Sequence, residues 1–126
     1  MKKYLRTTPE GTRDLLFEEC SARKNVESAL TALFKSRGYS KVITPVLEYF
    51  DVFSGESAGF APESMYKLTD NHGRLLVLRP DSTMPIARIV TTRLREASLP
   101  IRLYYNQSVF RCRQSLAGHA LSLIHI

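Results

Sequence analysis

The chain has 126 residues, 44% apolar and 24% charged, which suits one domain of common size with a modest core. Eighteen basic against twelve acidic residues give a formal charge of +6. The basic residues are spread without a compact run, so they read as a solvated surface rather than a nucleic-acid footprint. No apolar run is long enough for a membrane span, and Met1-Lys2-Lys3-Tyr4-Leu5-Arg6 lacks the apolar stretch of a secretory signal, so a cytoplasmic location is expected.

Residues 1–13 read as an extended lead-in, with Thr8-Pro9-Glu10-Gly11-Thr12-Arg13-Asp14 mixing turn formers and charge. A helix is predicted from about Leu15 to Arg37. Val26, Leu30, Leu33 and Phe34 recur at helical spacing and form a core-facing stripe. Asp14 is the expected N-cap, and Gly38 the stop after Lys35 and Arg37. Lys41-Val42-Ile43-Thr44 reads as a short strand ended by Pro45, which lacks a ladder donor. Glu48 to Phe53 is ambiguous, with a helical turn as one reading, and Ser54 to Pro62 reads as a mobile loop.

Tyr66–Asp70 and Arg74–Arg79 flank Asn71-His72-Gly73, a turn in which Gly73 can take positive φ, so a β-hairpin is predicted. A second helix is predicted over Ser82–Ala97, with Pro85 in its first turn and Ile86, Ile89, Val90 and Leu94 on its apolar face. Ile101–Gln107 and Ser108–Arg113 read as strands separated by a slight break. Tyr104 and Tyr105 point to opposite faces, one to the core and one to a cleft. The order of elements gives an α+β fold with a mainly antiparallel sheet.

Few residues carry chemistry. Cys20 and Cys112 lie far apart without metal or redox spacing and are expected as reduced thiols. His72 falls in a turn, and His119 and His125 show no ligand spacing, so no metal site is expected. The informative stretch is Leu78-Arg79-Pro80-Asp81-Ser82-Thr83, which joins hairpin to helix. Asp81 and Thr83 suit an ammonium group, and Arg111, on a later strand, suits a carboxylate or phosphate. Together they fit a small amphoteric ligand. Either Asp81 or Thr83 equally suits capping of the second helix, and Arg111 equally suits a strand surface.

With these motifs placed, the chain resembles class II aminoacyl-tRNA synthetase cores of the histidyl type. Pro9-Glu10-Gly11-Thr12-Arg13-Asp14-Leu15 resembles the family's opening signature, and Val42-Ile43-Thr44-Pro45-Val46-Leu47-Glu48 its motif 1. Met65-Tyr66-Lys67-Leu68-Thr69-Asp70 resembles its hairpin, and Tyr104-Tyr105-Asn106-Gln107-Ser108-Val109-Phe110-Arg111 the first half of its motif 2. The likeness runs over residues 8–119. It implies a truncated class II synthetase-like antiparallel sheet with flanking helices. Residues 1–120 then form the N-terminal part of that core, and Leu121-Ser122-Leu123-Ile124-His125-Ile126 a tail unlike the family, as a truncation scar is.

Two branches share this core, histidine–tRNA ligases and the non-catalytic regulatory subunits of ATP phosphoribosyltransferase. Arg79-Pro80-Asp81-Ser82-Thr83-Met84-Pro85-Ile86-Ala87-Arg88 is similar to the regulatory branch, where ligases carry Arg-Pro-Glu-Gly-Thr. Arg113 stands where ligases carry a motif 2 glutamate that positions ATP, and a cation cannot accept a hydrogen bond from the adenine amino group. The resemblance implies histidine bound by Asp81, Thr83 and Arg111, with Arg79 and Tyr105 supporting the pocket and no catalytic residue or cofactor. The implied partners are the short-form catalytic subunit, histidine as effector and a second copy within a hetero-oligomer, with part of the first helix facing that copy. No membrane or tRNA partner is implied. The alternative branch implies a ligase that activates histidine with ATP and Mg²⁺.

Overall fold

The computed structural model describes residues 3–55 and 59–112, together with the backbone of residues 122–125. The lead-in is turned rather than extended. Thr12 N–H donates to Pro9 O (3.0 Å), and the Thr8 and Thr12 hydroxyls donate to Thr12 O and Pro9 O. Such local bonds compete with helix formation. Helix α1 accordingly starts later than predicted and spans Glu18–Ser36. Asp14 does not cap it. Phe17 occupies the N-cap with φ 45° and no side-chain cap, while Glu18 and Glu19 place negative charge at the positive end of the dipole.

The C-terminal end of α1 follows the expectation. Gly38 has φ 82°, a region costly for side chains. Its N–H donates to Lys35 O (3.1 Å), and the Tyr39 N–H donates to Phe34 O (3.0 Å), the paired bonds of a Schellman stop. The apolar contact that accompanies this motif is Phe34 edge-on to Tyr39 (5.6 Å). The core role expected of the α1 stripe is not seen in full. No α1 residue is buried, and of the stripe Val26 and Leu33 are 58% and 50% exposed while Leu30 and Phe34 are half-covered. Phe34 stacks on buried Tyr104 at 5.1 Å with rings nearly parallel.

Among the described residues the strands form three small sheets. β1 (Ser40–Lys41) pairs in parallel with β5 (Leu103–Tyr104), a shorter and earlier strand than Lys41–Thr44. Its length matches that of β5, which ends at Tyr104, and the Val42 N–H still donates to Tyr104 O (3.0 Å). β2 (Leu47–Tyr49) and β3 (Lys67–Thr69) flank β4 (Leu75–Leu78), both antiparallel, with Glu48 and Lys67 opposite Val77. A 3-10 turn, Phe50–Val52, follows β2, so the ambiguous segment is part strand and part turn. Within the expected 54–62 loop, residues 56–58 lie outside the described residues, and Pro62 opens a 3-10 turn to Ser64. β6 (Gln107–Phe110) pairs antiparallel with β7 (Ser122–His125), which falls in the hexamer read as a tail.

The β3–β4 hairpin forms as predicted, with Gly73 at φ 77°. Asp70 organises its turn. Oδ1 accepts the His72 and Arg74 N–H groups (2.8 and 2.9 Å), and Oδ2 accepts Arg74 Nε (2.7 Å). These bonds, led by the Arg74 N–H, hold the carboxyl below its usual range against an opposing desolvation effect. The turn is therefore stabilised above the ordinary carboxylate value of about 4 and loses that contribution as pH falls through the lowered value. Hydrogen exchange should show His72 and Arg74 amides protected at neutral pH and released in acid, and unprotected at any pH in Asp70→Ala.

Helix α2 spans Thr83–Thr92, not Ser82–Ala97. Its end is marked by Thr91 and Thr92, whose hydroxyls donate back to the Ala87 and Arg88 carbonyls, and by a widened turn in which Leu94 N–H reaches Ile89 O. Pro85 is buried in the first turn, where no intrahelical N–H is required. Phe53, Met65 and Val77 form the apolar core, with Phe50, Val52, Phe60 and Met84 packed around it. Thr44, Glu48, Arg79, Ser82 and Gln107 are also buried, so much of the interior is polar. Among the described residues no helix is long and apolar enough to cross a membrane.

Candidate functional site

The site is built where β4 runs into α2. Arg79 is 4% exposed and fastened at four points. Its N–H donates to Val46 O (3.0 Å) and its carbonyl accepts the Phe110 N–H (2.9 Å). Its guanidinium donates from Nε to Ser108 O (2.6 Å) and from Nη1 to Thr44 O (2.9 Å). Burial lowers its pKa, and the Glu48 carboxylate opposes that shift. Glu48 in turn pairs with Arg88 of α2 (Nη2 to Oε1, 2.7 Å). Arg79 thus braces the end of β4 between β6 and the 44–46 segment and lies beneath the site.

Above it the chain turns through Pro80-Asp81-Ser82-Thr83. Asp81 Oδ1 accepts the Thr83 N–H at 2.6 Å and the Met84 N–H at 3.4 Å, so Asp81 caps α2. With Pro85 lacking an N–H and Ile86 N–H already bonded to Ser82 O, this covers the Thr83 and Met84 donors of the first turn. Asp81 Oδ2 takes no hydrogen bond from the described residues. Arg111 Nε donates to Pro80 O (2.9 Å), its guanidinium lies 5.3 Å from the Phe60 ring centre, and among the described residues its Nη groups meet no acceptor.

Asp81, Ser82, Thr83, Tyr105 and Arg111 line one cleft of about 210 Å³. Four of the five residues singled out from sequence therefore meet at one hollow, and the fifth, Arg79, supports it from below. Tyr104 is the buried member of the tyrosine pair and Tyr105 the cleft-lining one. Arg113 lies outside the described residues. Larger and more open hollows among the described residues include one lined by Lys24, Glu27, Ser28, Thr31, Lys35 and Lys41 and one by Tyr49, Asp51, Arg74 and Leu75. The first contains no arginine, and in the second Arg74 is already paired with Asp70 (2.7 Å), whereas the Asp81–Arg111 cleft is the smallest of the three.

Sequence reasoning missed the buried hydrogen-bonding residues below the cleft. Gln107 Nε2 donates to Ser82 Oγ (2.8 Å) and Thr44 Oγ1 (2.7 Å), and its Oε1 accepts the Thr44 N–H (3.2 Å). A signal for Gln107 was present. It alternates with Val109 on the inward face of β6, and a polar residue there needs a partner. The Glu48–Arg88 pair left no such trace, because nothing local links residues 40 positions apart.

A β4–α2 junction beside a motif 2 strand, on a largely antiparallel α+β frame, defines a class II aminoacyl-tRNA synthetase core. The model of the histidyl-tRNA synthetase family matches residues 11–125, and the chain belongs to that family. It is similar to the ATP phosphoribosyltransferase regulatory subunits of Clostridium novyi (48% identity over 94% of this chain) and Clostridium acetobutylicum (46% over 94%). It spans a little over a quarter of their length, 27% and 28%. Among solved structures it resembles a Bacillus halodurans protein described as an ATP phosphoribosyltransferase regulatory subunit/histidyl-tRNA synthetase. The TM-score is 0.84 at 34% identity, over 98% of this chain and 32% of that one. It also resembles apo histidyl-tRNA synthetase of S. aureus, with a TM-score of 0.72 at 31% identity over 83% and 29% of the two chains.

Proposed function

We propose that the protein carrying this chain is a non-catalytic regulatory subunit of ATP phosphoribosyltransferase that takes histidine into the Asp81–Arg111 cleft. The observation that carries the reading is the meeting of Asp81 and Arg111 on one small hollow. A carboxylate oxygen that takes no partner among the described residues suits an α-ammonium group, and a guanidinium whose Nη groups take none among them suits an α-carboxylate. Thr83 adds a hydroxyl and Tyr105 a wall. A cleft of about 210 Å³ is smaller than a typical drug-sized ligand site and suits the amino-acid end of such a ligand.

The names of the similar Clostridium proteins support the regulatory role. Catalysis, the joining of ATP to phosphoribosyl pyrophosphate, belongs in this reading to a separate short-form catalytic subunit that needs this protein for activity. Feedback control follows if histidine binds one conformation of the complex more tightly than another, because an effector shifts an equilibrium only by its differential affinity. The intact subunit is then a homodimer within a hetero-oligomer, in the cytoplasm, without tRNA.

Calorimetry on the full-length protein tests the site. Asp81→Asn keeps a capping oxygen but removes the charge, and histidine affinity should fall about tenfold, roughly 1.4 kcal/mol. Unchanged affinity removes Asp81 from the site, and a wild type that gives no heat with histidine ends the reading. The likeness to S. aureus histidyl-tRNA synthetase favours one alternative, a ligase in which ATP and Mg²⁺ enter as substrate and ion. Histidine-dependent exchange of pyrophosphate into ATP separates the two, being expected only of the ligase.

A further inference from the structure

We infer that Gln107 is a positioning residue for the cleft, fixing the Asp81-Ser82-Thr83 turn against Thr44 so that the Asp81 carboxylate faces the ligand's ammonium group. The inference rests on the histidine reading for its ligand and on the hydrogen-bond geometry for its mechanism. Gln107 is 9% exposed, and the two residues it joins, Ser82 and Thr44, are each 3% exposed. Both amide hydrogens are used, one to each hydroxyl, and the amide oxygen accepts the Thr44 N–H. Buried groups of this kind are costly to leave unpaired, so the three residues hold one arrangement.

That arrangement reaches the ligand-facing atoms in one step. Ser82 is the N-cap residue of α2, yet its hydroxyl makes no cap bond and is held instead by Gln107. The cap comes from Asp81, whose Oδ1 is tied to the Thr83 and Met84 N–H groups. Asp81, Ser82 and the first turn of α2 therefore move as a unit, and Gln107 is the described side chain that grips this unit from the opposite strand. Arg111 meets the start of this turn through Pro80 O and packs on the Phe60 ring, and Gln107 makes no bond to it. Loss of Gln107 should thus spoil the ammonium half of the cleft more than the carboxylate half.

The test uses the full-length protein with three ligands: histidine, histidinol, which lacks the carboxylate, and imidazolepropionate, which lacks the amine. In Gln107→Met, affinity for the two amines should fall about tenfold while imidazolepropionate changes by less than about twofold, as expected when one of two separate anchors is lost. Ser82→Ala should reproduce the selective loss, and the double variant should add little to either single one. Ser82→Ala alone carries the test if Gln107→Met does not fold. An equal loss for all three ligands gives Gln107 a general structural role and overturns the inference, as does no loss. Hydrogen exchange at the Thr83 and Met84 amides separates this from the fate of the histidine reading. Faster exchange in Gln107→Met supports positioning even if the wild type binds no histidine, and unchanged protection overturns it.

Discussion

Arg79→Leu is expected to lower the unfolding free energy of the full-length protein by about 3 kcal/mol, within the upper range of single-substitution effects. The leucine fills part of the volume but leaves the Ser108 and Thr44 carbonyls without their side-chain donors in a buried region. It also removes the positive charge that faces Glu48. Each lost charge-assisted bond contributes about 1.5–3 kcal/mol, and partial relaxation returns some of the sum. Arg79→Lys should restore little, because an ammonium group is a compact point charge and cannot place two donors along diverging directions as the guanidinium does. Denaturant unfolding reads both variants. A loss below about 1 kcal/mol for Arg79→Leu would show that water replaces the guanidinium donors and that Arg79 is not a brace.

That brace explains why much of the site was legible in the sequence while much of the frame was not. The hairpin could be read because its turn chemistry is local: Asp70 bonds backbone groups two and four residues on, and Gly73 takes the positive φ. The stop of α1 at Gly38 and the place of Pro85 are local for the same reason. The start of α1 is not legible in the sequence, because Thr8 and Thr12 divert the backbone into turns and nothing in the residue type of Phe17 announces φ 45°. The apolar stripe of α1 shows which side of the helix is apolar but not whether these residues cover it, and they leave Val26 and Leu33 open. The cleft residues were found as chemical types at suggestive spacing and through the family likeness. The roles of Gln107, Thr44 and Ser82 are not legible in the sequence, because they depend on contacts between residues 25 and 63 positions apart.

Arg111→Ala should weaken histidine binding about 100-fold, roughly 2.7 kcal/mol, the larger of the two ligand effects expected at the cleft walls. The guanidinium is pre-set for its task. Nε is committed to Pro80 O, the plane lies near the Phe60 ring, and the two Nη groups form the edge that a carboxylate meets with two parallel bonds. Removing it takes away both bonds and the charge at once, whereas Asp81→Asn keeps the cap and loses only charge. Arg111→Lys should recover little of the loss, since a lysine cannot hold Pro80 O and still offer a fork. The discriminating ligand is histidinol. Without a carboxylate it should bind wild type and Arg111→Ala with similar affinity, so the variant should erase the preference for histidine over histidinol. If histidinol loses as much as histidine, Arg111 is a prop for the Pro80 turn rather than the carboxylate anchor. The amphoteric cleft would then have only its acidic half.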